Sequence, residues 1–235
     1  DCLKFMGTCA DHTYDLVIAD PPYSSGGMVR SDRNAGSTSK YSRANAEVNL
    51  DFLGDNRDQR SYLYWCQLWI SESVRILKDG GLILIFTDWR QLPTTTDAIQ
   101  AGGAVWRGII PWNKKNDRPM SDRYSASCEY IVWGTKGARK VDMKDPESRY
   151  VPGWYEHRPQ NKRIHATEKP VDLYRHIFQI LRDGQRIFDP FVGSGTSAIA
   201  AHMEGFEYDG CELSQGIYEV ANARLKALTA QTNLF

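Results

Sequence analysis

The sequence predicts a doubly wound α/β fold with a mostly parallel sheet, and three observations carry that prediction. Two continuous apolar runs, residues 16–19 and 82–86, lack the alternation of a half-wetted strand, so they suit strands covered on both faces. A strand, a glycine-rich turn and a helix start follow one another over residues 187–201, the unit from which parallel sheets are built. Between these landmarks strands and helices alternate, which places helices on both faces of one sheet.

In chain order, the strand 16–19 runs into Asp20-Pro21-Pro22-Tyr23, and a long polar loop occupies residues 24–60. Leu63, Cys66, Ile70, Val74 and Leu77 then fall on one helical face, and Lys78-Asp79-Gly80-Gly81 ends that helix. The strand 82–86 follows, then strands at 105–110 and 129–133 that flank a segment, 113–127, too polar for a core. Pro170 opens a helix carrying Leu173, Ile177, Ile180 and Leu181 on one side. After the strand to Asp189 and its glycine turn, a helix through 197–201 stops at Gly205, and a strand over 206–211 ends at Glu212. Ser214 caps the last helix, which runs through Val220 and Leu225. At 235 residues without repeats, one domain spanning 1–235 is the default.

No stretch approaches the roughly 20 apolar residues of a membrane span. Five unpatterned cysteines read as reduced thiols of a cytoplasmic protein. His157, His165, His176 and His202 show no metal-ligand spacing, so no metal is expected. Net charge is zero, which rules out a generic polyanion binder. The charge is uneven, however: from Ala104 to His165, thirteen Lys or Arg stand against seven Asp or Glu. Lys114, Lys115, Arg118, Arg139, Lys140 and Lys162 belong to this region, interleaved with Trp112, Tyr124, Tyr150, Trp154 and Tyr155. Cations for phosphates and rings for bases suit a nucleic-acid surface; an ordinary solvated loop is the competing reading. Arg30, Arg33, Lys40 and Arg43 make a second basic stretch, suited to a cover over a site at Asp20.

Two segments carry chemistry. Asp20-Pro21-Pro22-Tyr23 delivers a carboxylate to the lip of a sheet, where two prolines stiffen the backbone and have no N–H to donate. A carboxylate and a fixed carbonyl can accept both protons of an exocyclic amino group while an aromatic ring stacks on the base. A plain surface turn is the alternative. The second segment, Asp189-Pro190-Phe191-Val192-Gly193-Ser194-Gly195-Thr196, lets a ligand approach the backbone at a helix N-terminus, and Glu212 lies where an acid can bind ribose hydroxyls. Alone, it also fits a dinucleotide fingerprint and hence a nicotinamide-dependent oxidoreductase.

Together the two segments resemble the amino-directed DNA methyltransferases that use S-adenosylmethionine, the adenine-N6 and cytosine-N4 enzymes. Because the Asp-Pro-Pro-Tyr element comes first, the resemblance is to the beta class, with its permuted motif order on a Rossmann-like methyltransferase fold. A third element, His165-Ala166-Thr167-Glu168-Lys169-Pro170, is similar to that family's segment beside the methionine end of the cofactor.

The resemblance implies catalysis by Asp20, Pro21, Pro22 and Tyr23 on a flipped base. It implies S-adenosylmethionine held by Lys169, Asp189, Phe191, Gly193, Ser194, Gly195, Thr196 and Glu212. Asp1 would accept from the cofactor's adenine amino group, with further strand residues upstream; a frayed terminus is the other reading. Double-stranded DNA would contact Arg30, Arg33, Lys114, Lys115, Arg118, Arg139, Lys140 and Lys162, with target recognition in a short insertion at 135–164. A homodimer would help so short an insertion read its target.

Asp at the first catalytic position favours adenine over cytosine, since cytosine-directed members more often have Ser there. It argues against protein glutamine, whose methyltransferases typically have Asn. An RNA substrate and a non-catalytic DNA-binding module stay as further alternatives. The implied setting is the cytoplasm of a bacterium, or a phage-encoded enzyme of a restriction-modification system.

Overall fold

A computed structural model describes residues 1–23, 57–115, 121–122, 124–140, 142–159 and 168–232. Its elements are, in order, α1 (Cys2–Met6), β1 (Tyr14–Ala19), α2 (Gln59–Ile76), β2 (Leu77–Thr87), α3 (Leu92–Ala101), β3 (Val105–Asn113), β4 (Cys128–Thr135), β5 (Tyr155–Glu156), α4 (Val171–Phe178), β6 (Arg186–Asp189), α5 (Thr196–Met203), β7 (Glu207–Gly210) and α6 (Gln215–Thr232). Of the expected contacts, Arg30, Arg33, Arg118 and Lys162 lie outside the described residues, as do His165, Ala166, Thr167 and the loop 24–56.

β1 is buried along its whole length because both of its faces are covered. Leu16 and Ile18 point to one side, among Leu173, Ile177 and Phe178 of α4 and Ala200 and Ala201 of α5. Val17 and Ala19 point to the other, among Met6 of α1, Trp69 and Ile70 of α2 and Ala98 and Ile99 of α3. Burying each such aliphatic side chain contributes about 1.5–3 kcal/mol, which is why these runs carry no alternation. Two apolar cores on opposite faces make the sheet doubly wound, as the sequence predicts.

The strand order is β5-β3-β4-β2-β1-β6-β7. β1 pairs in parallel with both β2 and β6, and β6 with β7. β4 is antiparallel to β2 and to β3, so it alone runs against the others. The chain leaves β1 towards β2 on one side and returns on the other as β6. That reversal opens a crevice at the carboxyl ends of β1 and β6, where ligands bind in open α/β sheets.

Three local expectations are corrected. Lys78 to Gly81 do not end the helix; α2 stops at Ile76, and Leu77 already pairs with Tyr14. The next pair is Leu16 with Leu82, so the four polar and glycine residues bulge out of β2. The buried face of α2 is Tyr62, Cys66, Trp69, Ile70, Ser73 and Ile76, with Leu63 and Val74 only at its margin. Aromatic residues at 62 and 69 won the core because they fill more of the space above the sheet. Trp112 and Tyr155, counted with the nucleic-acid aromatics, are core residues instead. The Trp112 indole donates to the carbonyl of His157 at 3.0 Å, which satisfies its one polar atom.

Candidate functional site

The ends of β1, β6 and β7 open into one cavity of about 340 Å³. Asp20 to Tyr23 line it, as do Lys169, Phe191, Gly193, Ser194, Thr196, Glu212 and Asp1. The two segments singled out by sequence, 169 residues apart between Asp20 and Asp189, are thus neighbours across adjacent parallel strands.

At the β1 end, the Asp20 carboxylate receives three short contacts. Lys169 Nζ donates at 2.7 and 2.9 Å, and the Tyr23 hydroxyl donates at 2.5 Å. Tyr23 was expected to act through its ring; the structure gives its hydroxyl a role as well, anchoring the carboxylate.

Lys169 is buried, and a lone buried ammonium would lose its proton. Burial does work against its charge, yet the Asp20 and Glu129 carboxylates outweigh it and hold Lys169 above the usual lysine range. Glu129, the second residue of β4, lies 3.4 Å from Lys169 Nζ and 3.3 Å from Lys114 Nζ. Burial would raise its carboxyl, but Lys169 and Lys114 reverse the sign and keep it low. Asp20, Lys169, Glu129 and Lys114 therefore alternate in charge through the wall of the site.

At the β6 end, Asp189 is almost wholly enclosed, and burial pushes its carboxyl up to about 7. One of its oxygens accepts from the Phe191 N–H at 2.8 Å, the other from the Ser197 hydroxyl at 2.6 Å. These bonds fold the turn back on its strand. Gly193 and Gly195 both take positive φ, 54° and 87°, which side chains resist. A Cβ on Gly195 would stand 3.0 Å from that of Ala221 in α6, whereas one on Gly193 would have only the Phe191 carbonyl oxygen near it, at 4.0 Å. The loop is thus closed on the helix side and open on the cavity side, as a cradle for a ligand must be.

Glu212, at the end of β7, accepts from the backbone N–H of Gly193 at 3.0 Å and of Ser214 at 2.8 Å. Each oxygen keeps a further lone pair for a hydroxyl. Asp1 caps α1 by accepting from the Leu3 and Lys4 N–H groups, at 3.0 and 3.4 Å, beside the cavity.

Several site residues carried no signal in the sequence. Trp65 and Arg57 line the cavity, with the guanidinium 4.2 Å above the indole and Phe191 packed 5.5 Å away. Arg224 of α6 donates to the Ser194 carbonyl at 2.7 Å and pairs with Glu168 at 2.7 Å, tying the glycine loop to the segment that carries Lys169. Glu129 did leave a trace, as the one charged residue in an otherwise uncharged strand from Cys128 to Thr135.

The expected basic surface divides in two. Lys114 and Lys115 lie at the end of β3, on the same sheet edge as Asp20, but paired with Glu129 at 3.3 Å and Glu156 at 2.5 Å. Arg139 and the exposed Lys140 follow β4, at the opposite edge, where Arg139 donates to the Gly80 carbonyl at 3.0 Å. The antiparallel course of β4 carries them there, so the structure does not bring them to Asp20. Tyr124, Tyr150 and Trp154 are exposed. Among the described residues no group of three or more metal-ligating side chains occurs, and no helix is long and apolar enough to cross a membrane.

Residues 14–223 match the sequence model of a family described as DNA methylase. The Type II methyltransferase M2.MboI of Moraxella bovis is 29% identical over 249 residues, covering 97% of this chain and 86% of that protein. The Type II methyltransferase M2.DpnII of Streptococcus pneumoniae is 26% identical, with 97% and 88% covered. Among solved structures, the M1.HpyAVI–SAM complex superposes with a TM-score of 0.62 at 19% identity, covering 95% of this chain and 92% of that one. The cytosine-N4-specific PvuII DNA methyltransferase gives 0.69 at 14% identity, with 94% and 83% covered. At these identities the superpositions speak for the fold.

Proposed function

Because the chain belongs to the DNA methylase family of N6-adenine and N4-cytosine enzymes, we propose that it methylates the N6 amino group of adenine in double-stranded DNA. Membership makes it an S-adenosylmethionine-dependent methyltransferase of an exocyclic amino group on a DNA base. The choice of adenine is our reading, and it rests on Asp20 at the head of the Asp-Pro-Pro-Tyr segment. The observation that carries the site is one cavity holding both that carboxylate and the glycine loop of β6.

The residues act as follows. The lone pair of an aromatic amine is delocalised into its ring, so the nitrogen is a poor nucleophile. Asp20 and the Pro21 carbonyl accept its two protons, draw it towards tetrahedral geometry and free the lone pair, while Pro22 holds that carbonyl rigid. S-adenosylmethionine supplies an electrophilic methyl on a positively charged sulfur and leaves as the neutral thioether. The positive charge that reaches nitrogen is met by the Asp20 carboxylate, which takes the released proton. Tyr23 fixes Asp20 through its hydroxyl and offers its ring to the flipped base.

Asp189 and its two hydrogen bonds shape the loop that binds the cofactor, through Phe191, Gly193, Ser194, Gly195 and Thr196. Glu212 takes ribose hydroxyls and Asp1 the adenine amino group. Phosphates meet the sheet edge bearing Lys114 and Lys115, where the exposed Tyr124 also lies. The segment 135–164 serves target recognition, and a homodimer completes it.

Labelled methyl from S-adenosylmethionine, incubated with unmethylated duplex DNA and followed by nucleoside mass spectrometry, tests this reading. N6-methyladenine is the expected product. N4-methylcytosine would keep the mechanism and replace the base. No incorporation into DNA with intact cofactor binding would overturn the substrate.

A further inference from the structure

Resting on that reading, we propose that Glu129 is a positioning residue that draws the Lys169 ammonium off Asp20, freeing Asp20 to accept the protons of the substrate amino group. As the site stands, Asp20 has little capacity to spare. Lys169 bonds both of its oxygens, at 2.9 and 2.7 Å, and the Tyr23 hydroxyl shares the first of them. An amino group that takes the one lone pair left, on Oδ2, competes there with the Lys169 ammonium. Moving the buried Lys169 ammonium off this carboxylate with nowhere to go would leave its charge desolvated and unpaired.

Glu129 provides the destination. Its Oε2 is buried and makes no hydrogen bond, although Lys169 Nζ stands only 3.4 Å away, within ion-pair range. A buried acceptor left unmet is unfavourable, so this oxygen attracts a donor, and Lys169 has a third N–H to give. A shift of well under an ångström would close that contact to an ordinary hydrogen bond of about 2.9 Å. The other oxygen of Glu129 is held by Lys114 at 3.3 Å, which fixes the receiving carboxylate in place. The rings of Tyr23 and Phe86, 5.3 and 5.4 Å from Nζ, flank the ammonium with π-faces and ease its passage between the two anions.

The other groups facing Lys169 fit a shuttle of position rather than of protons. Tyr23 and Tyr174 are buried phenols pushed well above the ordinary tyrosine range by burial and by Asp20, so they stay neutral. Asp189 has its own neutral donors. Lys169 thus remains an ammonium throughout, its charge balanced by Asp20 in one position and by Glu129 in the other.

Glu129→Gln, which keeps the shape and removes the charge, is the test, with Glu129→Asp as its partner. In Glu129→Gln, kcat for methyl transfer should fall about 10- to 100-fold, the scale of a misplaced catalytic group. The KM values for DNA and S-adenosylmethionine should stay within about threefold. Glu129→Asp, with the charge kept but withdrawn by one methylene, should recover part of the rate. A second readout is independent of turnover: the Lys169 side chain, followed by NMR in protein labelled at lysine, should lose its proton at lower pH in Glu129→Gln than in wild type. An undiminished kcat, or a Lys169 titration that does not move, overturns the proposal. A wild-type protein that transfers no methyl would sink the functional reading by itself, and the Lys169 titration would still decide the role of Glu129.

Discussion

β1 and β6 are adjacent parallel strands that both end in Asp-Pro, at Asp20-Pro21 and Asp189-Pro190, and the two aspartates do opposite work. Asp20 keeps 22% of its side chain accessible at the cavity and is matched by a full charge, the Lys169 ammonium. Asp189 is enclosed and is met by neutral donors, among them a backbone N–H and a serine hydroxyl. The first carboxylate is held by an ion pair and faces the cavity. Burial without a cation pushes the second up to about 7 and commits it to holding a turn. One dipeptide at two strand ends thus yields either a cavity-facing carboxylate, the reacting group of our proposal, or an enclosed clasp of a turn, and the surroundings set the difference.

The largest effect expected from breaking this contrast comes from truncating both aspartates. Asp20→Ala should lower methyl transfer by about 1000-fold or more, with the Kd for S-adenosylmethionine, read by calorimetry, within about threefold of wild type. Asp189→Ala should weaken the cofactor instead, by about tenfold or more, since two hydrogen bonds that shape the loop are lost. If the two variants show the same pattern, the division of labour is wrong.

A pH series sharpens the contrast. Asp189 holds its proton more tightly folded, at about 7, than unfolded, at about 4. As pH rises between these values the unfolded chain releases the proton first, so the folded state loses stability across that window. Asp189→Asn has no such proton. Its stability relative to wild type should therefore rise by a few kcal/mol between about pH 4 and 7, measured as the difference in Tm. A flat difference across that window would show that the carboxylate is not held as described.

The smallest expected effect belongs to Ser197→Ala. It removes the 2.6 Å donor from Asp189 and the contact with the Tyr208 hydroxyl at 2.8 Å. About 1 kcal/mol of stability should go, read by denaturant unfolding, with transfer reduced less than about threefold. A loss of activity as deep as that of Asp20→Ala would place Ser197 among the reacting groups.

Much of this was legible in the chain. The runs 16–19 and 82–86 read as buried strands because both sheet faces are covered, and the structure covers them. Gly193 and Gly195 marked the turn because a positive φ excludes most side chains. What failed to show were partners supplied from a distance. Trp65 sits on a helix whose core face was read from its aliphatic residues, while its large aromatics decided the packing. Arg224 resembles any surface arginine of a last helix, and only the approach of α6 to the glycine loop gives it Ser194 and Glu168. The basic stretch after Ala104 looked like one surface because sequence cannot show a strand reversing, and β4 splits it between opposite sheet edges.

The sequence by itself determined the elements and the chemistry: the buried strands, the glycine turn, the proline-stiffened carboxylate and the family they signify. These are local properties, written in hydrophobic period, backbone freedom and the functional groups of consecutive residues. Only the tertiary structure decided that Asp20 would face Lys169, that Glu129 would stand behind it with an oxygen unmet, and that Asp189 would be sealed among neutral donors. These pairings follow from packing: Lys169 and Glu129 lie 149 and 109 positions from Asp20 along the sequence, and Asp189, whose two donors are near it in sequence, is enclosed by the strands and helices around it.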